Sequence, residues 1–422
     1  MDYEKTLLYI HSALKFGIRP GLERISELMN RLGNVQDKLK FVHIAGTNGK
    51  GSTATMIACT LEAAGYKTGL FTSPYIVDFR ERIQINGKYI EKDALVSAVE
   101  RVKAAAEDME AKGYEHPTEF ELITAAAFLA FYEEKCDYVV LETGLGGRLD
   151  STNVISSPEV CVITSVSMDH MNVLGDTLEL IAKEKAGIIK AGCDTVIYPL
   201  NAKCVTDIME KTADERGSKV FLPDMSLLHI ISEDMGGSVF EYDGTKIEIK
   251  LAGRHQIYNA LTALCAVSRL CARGADISGE AVKKGFEAAR IPGRFEVAGE
   301  SPTVILDGGH NEDGVRTLCK ALDALKIKKP TVIMGMLKDK AYEECISMVA
   351  ERAGAFIAVD VQNPRALSRA EVKSIAARRT TAYEAETNEA LPLALKLTPK
   401  DGTVLICGSL YLVSQFREKI MK

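Results

Sequence analysis

Residues 41–53 carry the clearest structural signal in this chain and read Phe41-Val42-His43-Ile44-Ala45-Gly46-Thr47-Asn48-Gly49-Lys50-Gly51-Ser52-Thr53. The apolar first part predicts a buried parallel strand, and a helical pattern begins near Lys50. The glycines between them allow a tight turn that aims successive backbone N–H groups at one point. The helix N-terminus and the Lys50 ammonium add positive charge there, and the Ser52 hydroxyl is able to hold Mg²⁺. We therefore predict a phosphate-binding loop, hereafter the phosphate loop, formed by Gly46, Thr47, Asn48, Gly49, Lys50, Gly51 and Ser52.

The spacing of this loop differs from that of the standard P-loop, which has four residues between its glycines and then Lys-Ser/Thr. Here Thr47 and Asn48 alone separate Gly46 from Gly49, and Gly51 lies between the lysine and the serine. The alternative is a glycine-rich turn with a solvated lysine. The strand before the loop and the helix after it favour phosphate binding.

Composition limits the kind of protein that this chain encodes. A length of 422 residues predicts two or three domains. With 52 Lys and Arg against 58 Asp and Glu, the net charge of −6 argues against a nucleic-acid or membrane surface. The ten cysteines include no Cys-x-x-Cys pair and are typical of reduced packing residues. No secretory leader or membrane-spanning run is evident, so we expect a soluble cytoplasmic protein.

Strand and helix patterns alternate along most of the sequence, which is typical of α/β proteins. Hairpins are predicted around Asn86-Gly87 and, near an edge, over residues 227–251. Ile291-Pro292-Gly293 interrupts the alternation, which restarts at residue 303. We expect a P-loop-type parallel-sheet ATPase domain over residues 1–293, followed by a smaller Rossmann-like α/β domain over residues 294–422.

Polar side chains follow several predicted strands of the first domain. They are Ser52, Ser73, Glu142 and the pair Asp169-His170. Ligands collect at the carboxyl ends of strands in open α/β sheets, and Mg²⁺ prefers carboxylate, hydroxyl and phosphate oxygens. Ser52 and Glu142 therefore suit the metal of a nucleotide, and Ser73 and His170 suggest a second metal. The alternatives are that Glu142 caps a turn and that His170 is a satisfied histidine.

The second domain offers a similar group. Asp307 and His310 follow a strand and precede a helix, so Asp307 could hold a ribose and His310 could approach a terminal phosphate. A helix cap at Asn311 with a bystander histidine is the alternative. Arg294 is placed to move against phosphate when the domains close, and Ser409 could face the same cleft. Lys185, on a charged helix, is by default a solvated residue.

Taken together, these motifs resemble those of the folylpolyglutamate synthase/dihydrofolate synthase family within the Mur ligase superfamily. The resemblance spans residues 16–412 and rests on the phosphate loop, Leu141–Asn153, Asp169-His170, Glu184–Ile188, Gly253–Gln256 with Asn259, Pro292–Arg294, Asp307 with His310-Asn311, and Gly335–Leu337. It departs at Gly308-Gly309, where a small apolar residue and Ala are more usual, and at Glu312, where Pro is common.

The resemblance implies a role for each matching residue. Lys50 would bind the ATP phosphates, and Ser73, Glu142 and His170 would be Mg²⁺ ligands. Lys185 matches a lysine that is carbamylated in this superfamily, which reverses its default interpretation. Asn259, Arg294 and Asp307 match nucleotide contacts, while His310 and Ser409 lie where glutamate and the γ-phosphate meet. On the folate side the matching residues are Arg82, Thr118, Phe120, Glu121 and Asp150.

The implied activity is ATP-dependent addition of L-glutamate to a folate through an acyl phosphate, with dihydropteroate as a further candidate acceptor. The implied catalytic residues are Lys50, His170, Lys185, Asp307 and His310, with ATP and two Mg²⁺ ions as the expected cofactors. A Mur-type ligase for a UDP-sugar and a non-catalytic nucleotide-binding regulator are the alternatives. We expect a monomer, because two domains already enclose the site.

Overall fold

The strand predicted at residues 41–45 is a central strand of a mixed sheet. In the computed structural model, which describes residues 1–420, this first sheet has the strand order β4-β3-β2-β5-β1-β6-β7-β8. Its strands are β1 Phe41–Ala45, β2 Thr68–Phe71, β3 Ile83–Ile85, β4 Lys88–Tyr89, β5 Tyr138–Glu142, β6 Val160–Ile163, β7 Asp194–Ile197 and β8 Lys219–Phe221. Six neighbouring strands, β2, β5, β1, β6, β7 and β8, run parallel, as predicted. The β3–β4 hairpin adds an antiparallel edge. Asn86 and Gly87 both have positive φ, which fits the predicted two-residue hairpin turn.

Helices cover both faces of this sheet. Up to residue 288 they are α1 Tyr3–Ser12, α2 Glu23–Arg31, α3 Lys50–Ala63, α4 Lys92–Ala111, α5 Glu119–Glu133, α6 Met171–Leu174, α7 Leu178–Ala186, α8 Lys203–Glu215, α9 Arg254–Ala272 and α10 Gly279–Ala288. Successive strand residues point to opposite faces. Val42 and Ile44 therefore pack with α3, α9 and α10, whereas Phe41 packs with α1, α2, α4 and α5. These four helices are called the α5 layer below; α7 and α8 cover the rest of that face.

The hairpins predicted over residues 227–251 form a separate antiparallel sheet. Its strands are β9 Leu228–Asp234, β10 Gly237–Tyr242 and β11 Thr245–Ile249, in the order β11-β10-β9. Phe240, Ile247 and Ile249 are buried in the same apolar cluster as α3, α9 and α10. The alternating pattern thus marks one face that packs on helices and one that faces solvent.

The second domain contains a six-stranded sheet with the order β12-β13-β17-β14-β15-β16. Its strands are β12 Glu296–Glu300, β13 Thr303–Asp307, β14 Thr331–Met334, β15 Ala355–Ala358, β16 Ala382–Glu384 and β17 Thr403–Cys407. Its helices are α11 Glu312–Ala324, α12 Tyr342–Ala350, α13 Arg369–Ala376, α14 Thr387–Leu397 and α15 Leu410–Ile420. All neighbouring strands are parallel except β12, which pairs antiparallel with β13. The predicted α/β class is therefore confirmed for both sheets.

Within residues 1–420, no helix has both the length and the apolar character needed to cross a membrane.

Candidate active site

The phosphate loop connects β1 to α3 and has the tight geometry that its glycines predict. Gly49 adopts φ +86°, and a Cβ atom at this position would lie 2.4 Å from Asn259 Oδ1. A Cβ atom on Gly46 would lie 1.8 Å from Thr164 Oγ1. The Thr47 N–H donates to the carbonyl of Ser165 at 2.7 Å, which joins the loop to the end of β6. Only glycine fits at both positions, because each lacks room for a side chain.

One cavity of about 1440 Å³ lies at the carboxyl ends of the first sheet and is bounded by both domains. It brings together nearly all of the residues singled out from the sequence. The phosphate loop lines it, as do Ser73, Arg82, Thr118, Phe120, Glu142, Asp150, His170, Lys185, Asn259, Arg294, Asp307, His310 and Ser409. Glu121 is not among its lining residues.

Glu142 lies at the end of β5 beside the phosphate loop. The Ser73 N–H donates to its Oε2 at 3.4 Å, and Lys50 Nζ lies 3.9 Å from its Oε1. Burial raises the pKa of Glu142 to about 6, although Lys50 partly offsets this effect. A buried carboxylate with Lys50 nearby as a counter-charge, in a cavity that Ser52 and Ser73 also line, is chemically suited to a hard divalent cation. No three His, Cys, Asp or Glu side chains of residues 1–420 form a metal cluster, so phosphate oxygens or water would complete the coordination.

His170 follows β6 and has a left-handed backbone with φ +51°. Its side chain is 40% exposed, and its Nε2 lies 3.9 Å from Asp169 Oδ2. Partial burial, together with the nearby lysine ammonium groups, lowers the pKa of His170 to about 4, despite the opposing effect of Asp169. The imidazole is therefore neutral at pH 7, which is the form that binds metal ions.

Lys185 projects from α7 into the core rather than into solvent. It is 3% exposed, and its Nζ donates to the carbonyl of Gly46 in the phosphate loop at 2.8 Å. Burial, assisted by the Lys50 ammonium, lowers the pKa of Lys185 to about 7. A large fraction of this amine is thus uncharged at neutral pH and able to act as a nucleophile. The default interpretation of Lys185 as a solvated surface charge is wrong.

Asp169 connects the first domain to the second. Its Oδ1 accepts from Lys340 Nζ at 2.5 Å, and its Oδ2 accepts from Asn311 Nδ2 at 2.9 Å. The side chains of Asp169 and Lys340 are 8% and 7% exposed. Burial alone would raise the pKa of Asp169, but His170, Lys340 and Asn311 hold it well below its usual value. The carboxylate therefore remains charged and holds the two domains together.

A second interdomain contact starts from the phosphate loop itself. Asn48 Nδ2 donates to Asp313 Oδ2 at 2.8 Å, and Asn48 Oδ1 accepts from Asn311 Nδ2 at 3.2 Å. Asn311 also caps α11, which is the cap named in the alternative interpretation of this segment, because its Oδ1 accepts from the Gly314 N–H at 2.8 Å. The start of α11 and the phosphate loop are therefore in direct contact.

Asp307 organises the linker between the domains. Its Oδ2 accepts from the Phe295 N–H at 3.0 Å, and its Oδ1 accepts from the Gly309 N–H at 2.8 Å. These bonds place the neighbouring Arg294 in the cavity. Gly308 leaves no room for a side chain, since a Cβ atom there would lie 2.2 Å from Leu410. This packing accounts for one of the two glycines that depart from the family pattern.

His310 Nε2 lies 3.9 Å from Asp169 Oδ2, the same carboxylate oxygen that His170 Nε2 approaches at 3.9 Å. His310 Nδ1 is 2.9 Å from the Gly308 carbonyl, which can only accept, so Nδ1 carries the hydrogen and Nε2 is bare. Burial and the nearby Lys340 lower the pKa of His310 to about 4. Ser409, which follows β17, is buried and lines the same cavity.

The residues expected on the folate side surround the start of α5. Arg82 donates to Glu119 Oε1 at 3.2 Å, and the Phe120 ring fills the space that a Cβ atom on Gly144 would need. Glu121 instead closes a capping box with Thr118, whose N–H and hydroxyl donate to Glu121 Oε2 at 2.7 and 2.9 Å. Its carboxylate also accepts from Arg24. The structure thus uses Glu121 to fix the helix start.

Lys340 was not found by the sequence reasoning. It follows β14 in the loop after Gly335-Met336-Leu337, so the rule that ligands collect at strand ends applied to it as well. Its partner Asp169 is 171 positions away, and only the folded chain brings the two together.

Comparisons with known proteins agree with this geometry. Two family models match the chain: the Mur ligase middle domain over residues 44–267, and the Mur ligase, glutamate ligase domain over residues 293–410. The dihydrofolate synthase/folylpolyglutamate synthase of Bacillus subtilis (strain 168) is 38% identical over 428 residues, and the match covers 99% of each chain.

Two solved structures have the same architecture. E. coli FolC in complex with DHPP and ADP has a TM-score of 0.88 at 28% identity, covering 100% of this chain and 98% of its own. The bifunctional folylpolyglutamate synthase/dihydrofolate synthase from Yersinia pestis, complexed with AMPPNP and Mn ion, has a TM-score of 0.86 at 28% identity. Its match covers 100% of this chain and 98% of that chain.

Proposed function

This chain belongs to the folylpolyglutamate synthase/dihydrofolate synthase family of Mur ligases, and from this premise we propose how its cleft works. It is a ligase that adds glutamate to folates in an ATP-dependent reaction. We assign roles to individual residues chiefly because they line one cavity between the two domains. The phosphate loop lines it from the first domain, and Asp307, His310 and Ser409 line it from the second.

We assign the folate and the ATP phosphates to residues 1–293, and glutamate to residues 294–422, which also supply two residues that contact the nucleotide. The phosphate loop amides and Lys50 bind the ATP phosphates, while Asn259, Arg294 and Asp307 contact the nucleotide. In support, Asn259 packs directly against Gly49, and Asp307 fixes the linker that carries Arg294.

The residues present fit Mg²⁺, which would supply positive charge to the phosphates when bound. Ser52 and Glu142 would hold the ion of the nucleotide, and Ser73 and His170 would hold a second one. The Lys185 amine, uncharged in part at neutral pH and adjacent to Gly46, adds to CO₂ to form a carbamate, and the proton that the nitrogen loses passes to solvent. This modification replaces a cation with an anion beside the proposed metal ligands.

The charges of the reactants define what the protein groups must do. A carboxylate is a poor acyl donor, so ATP first transfers its γ-phosphoryl group to the carboxylate of the acceptor, which gives an acyl phosphate and releases ADP. Lys50 and Arg294 reduce the repulsion between the carboxylate and the γ-phosphate. The glutamate amine, held beside His310 and Ser409, then attacks the acyl carbon. The C–N bond forms as the C–O bond to phosphate breaks, and the proton that the amine loses leaves with the phosphate or to solvent. The closed arrangement of the domains excludes water that would hydrolyse the acyl phosphate.

On the folate side, Arg82, Thr118, Phe120 and Asp150 bind the acceptor, and Glu121 supports them by fixing the start of α5. We propose that the chain accepts both dihydropteroate and reduced folates, as the double name of the Bacillus subtilis relative suggests. We also propose that it acts as a cytoplasmic monomer. Two domains already enclose the cavity, and the ten cysteines are free thiols.

The decisive measurement is phosphate release from ATP with glutamate, run in parallel with dihydropteroate and with tetrahydrofolate. We expect turnover with both acceptors. Turnover with tetrahydrofolate alone would limit the chain to extending existing folates, and the absence of turnover with either would contradict the proposal. Transfer of ¹⁸O from a labelled acceptor carboxylate to the released phosphate tests the acyl phosphate, since no transfer would rule it out.

A further inference from the structure

A buried hydrogen-bonded chain runs from the central strand β1 to the cavity wall. His43 Nε2 lies 2.9 Å from Thr152 Oγ1, and Thr152 Oγ1 lies 2.6 Å from Asp150 Oδ1. His43 and Thr152 have no exposed surface, whereas Asp150 lines the cavity. None of the roles assigned above uses His43 or Thr152.

The direction of both hydrogen bonds, from His43 to Thr152 and from Thr152 to Asp150, follows from the carboxylate of Asp150. The Asp150 carboxylate only accepts, so the single hydroxyl hydrogen of Thr152 is donated to it. Thr152 Oγ1 must then accept from His43, which requires that Nε2 carries the hydrogen. His43 Nδ1 has no hydrogen-bond partner within the described structure, as expected for a bare nitrogen. Burial lowers the pKa of His43 to about 3, so the ring is neutral at working pH.

The hydrogen bonds from Thr152 fix one oxygen of the Asp150 carboxylate, and the loop that precedes Asp150 fixes the other. Oδ1 also accepts from the Thr152 N–H at 3.0 Å, and Oδ2 accepts from the Leu145 N–H at 2.7 Å. The adjacent Gly144 lies against the Phe120 ring, 2.5 Å from where its Cβ atom would be. A shift of the carboxylate would therefore shift the loop against Phe120.

An apolar residue at position 43 would avoid the cost of burying an imidazole with an unpaired nitrogen. We propose that His43 and Thr152 are positioning residues for the acceptor substrate. They orient Asp150, and through it the loop over residues 144–150, toward the folate site. This inference rests on the proposed role of Asp150 in folate binding.

The test compares steady-state kinetics of matched variants, with tetrahydrofolate and dihydropteroate each as the varied acceptor. Thr152→Val removes the hydroxyl with little change in shape, and Thr152→Ser retains it. We expect Thr152→Val to raise the KM for the acceptor about tenfold, because one hydrogen bond to a charged group is lost. The KM values for ATP and glutamate should stay unchanged. Thr152→Ser should restore the parental KM.

His43→Leu and His43→Gln form a second pair, because Gln keeps a donor at the position of Nε2. We expect His43→Leu to behave as Thr152→Val, and the effects of the two changes to be non-additive. Nitrogen-15 NMR of the parent should show the Nε2–H tautomer for the histidine signal that disappears in His43→Gln.

Three results would overturn the inference. In the first, Thr152→Val lowers kcat or raises all KM values equally, which is the behaviour of a purely structural residue. In the second, His43 is protonated on Nδ1. In the third, Asp150→Asn leaves the acceptor KM unchanged while turnover persists, so that the folate role of Asp150 fails but the ligase activity does not.

Discussion

Burial of the Glu142 side chain in the candidate active site lowers the stability of the folded protein. Its raised pKa of about 6 means that the fold favours the protonated acid. The folded protein therefore binds more protons than the unfolded chain between pH 4.5 and 6, and this group destabilises the fold as the pH rises through that window. A shift from 4.5 to about 6 corresponds to about 2 kcal/mol.

We predict that Glu142→Gln stabilises the nucleotide-free protein at pH 8 and abolishes ATP turnover. The stability difference from the parent should grow from pH 4.5 to pH 6.5 and then remain constant, as measured by denaturant unfolding. Glu110→Gln, a change at an exposed position, is the control and should show no such pH dependence. A Glu142→Gln variant that is less stable at pH 8 would contradict this prediction.

Lys185 allows a second prediction, on the carbamate. Protonation competes with the addition of CO₂, so activity should fall as the pH drops through about 7 and should increase when bicarbonate is added near that pH. Lys185→Met should lower kcat by at least about a hundredfold, as expected when a buried charged group of an active site is lost. Lys183→Met, an exposed lysine on the same helix, should retain activity. Activity that is insensitive to bicarbonate in CO₂-free buffer would argue against the carbamate.

The sequence predicts that a residue lies in the cavity where this position depends on the residues adjacent to it in the chain. The phosphate loop glycines and the polar residues at strand ends are of this kind. Lys185 is not, because a Lys-Glu-Lys sequence does not reveal which lysine faces the core. The Asp169–Lys340 pair is not either, since it depends on how two domains meet.

The phosphate loop, as a structural element, depends on glycine at position 49 for two separate reasons. One is its positive φ, and the other is the lack of space beside Asn259. Gly65, at the end of α3, has a similar φ of +92° but nothing within 4 Å of its Cβ position. A side chain at Gly65 would therefore cause backbone strain alone, whereas one at Gly49 would cause backbone strain and a steric clash.

We predict that Gly49→Ala and Gly65→Ala each destabilise the protein by about 1 kcal/mol through strain. Gly49→Ala should in addition abolish binding of ADP, measured by calorimetry, because Asn259 and the loop amides must move. Gly65→Ala should bind ADP like the parent. Equal ADP affinities of the two variants would show that the loop tolerates a side chain.

Most strands and helices of the first domain follow the predicted alternation, because apolar runs mark their lengths and glycines follow many of them, as Gly65 follows α3 and Gly113 follows α4. The elements that the pattern missed in the second domain lack such signals. Strand β16 has three residues and little burial, β12 contains Gly299, and α14 contains Pro392. Tertiary packing, rather than local preference, stabilises these segments.

The arrangement of the whole molecule depends on the contacts of Asp169 and Asn48 with the second domain. We predict that Lys340→Met weakens the closed arrangement, because it leaves the buried Asp169 carboxylate without its cation. Small-angle X-ray scattering of the ligand-free variant should give a larger radius of gyration than that of the parent. Lys338→Met, in the same loop but exposed, is the control. An unchanged radius in Lys340→Met would show that the other contacts suffice.

The two faces of the first sheet also bear on how such a protein can diversify. The α5 layer carries Thr118 and Phe120, whereas the phosphate loop and Glu142 belong to the strand ends and to α3. On this assignment, substitutions at the start of α5, and in the segments that carry Arg82 and Asp150, alter the acceptor while the residues that bind ATP are retained. A change of acid substrate therefore requires changes in these segments alone, and laboratory selection for new acceptors should concentrate its mutations there.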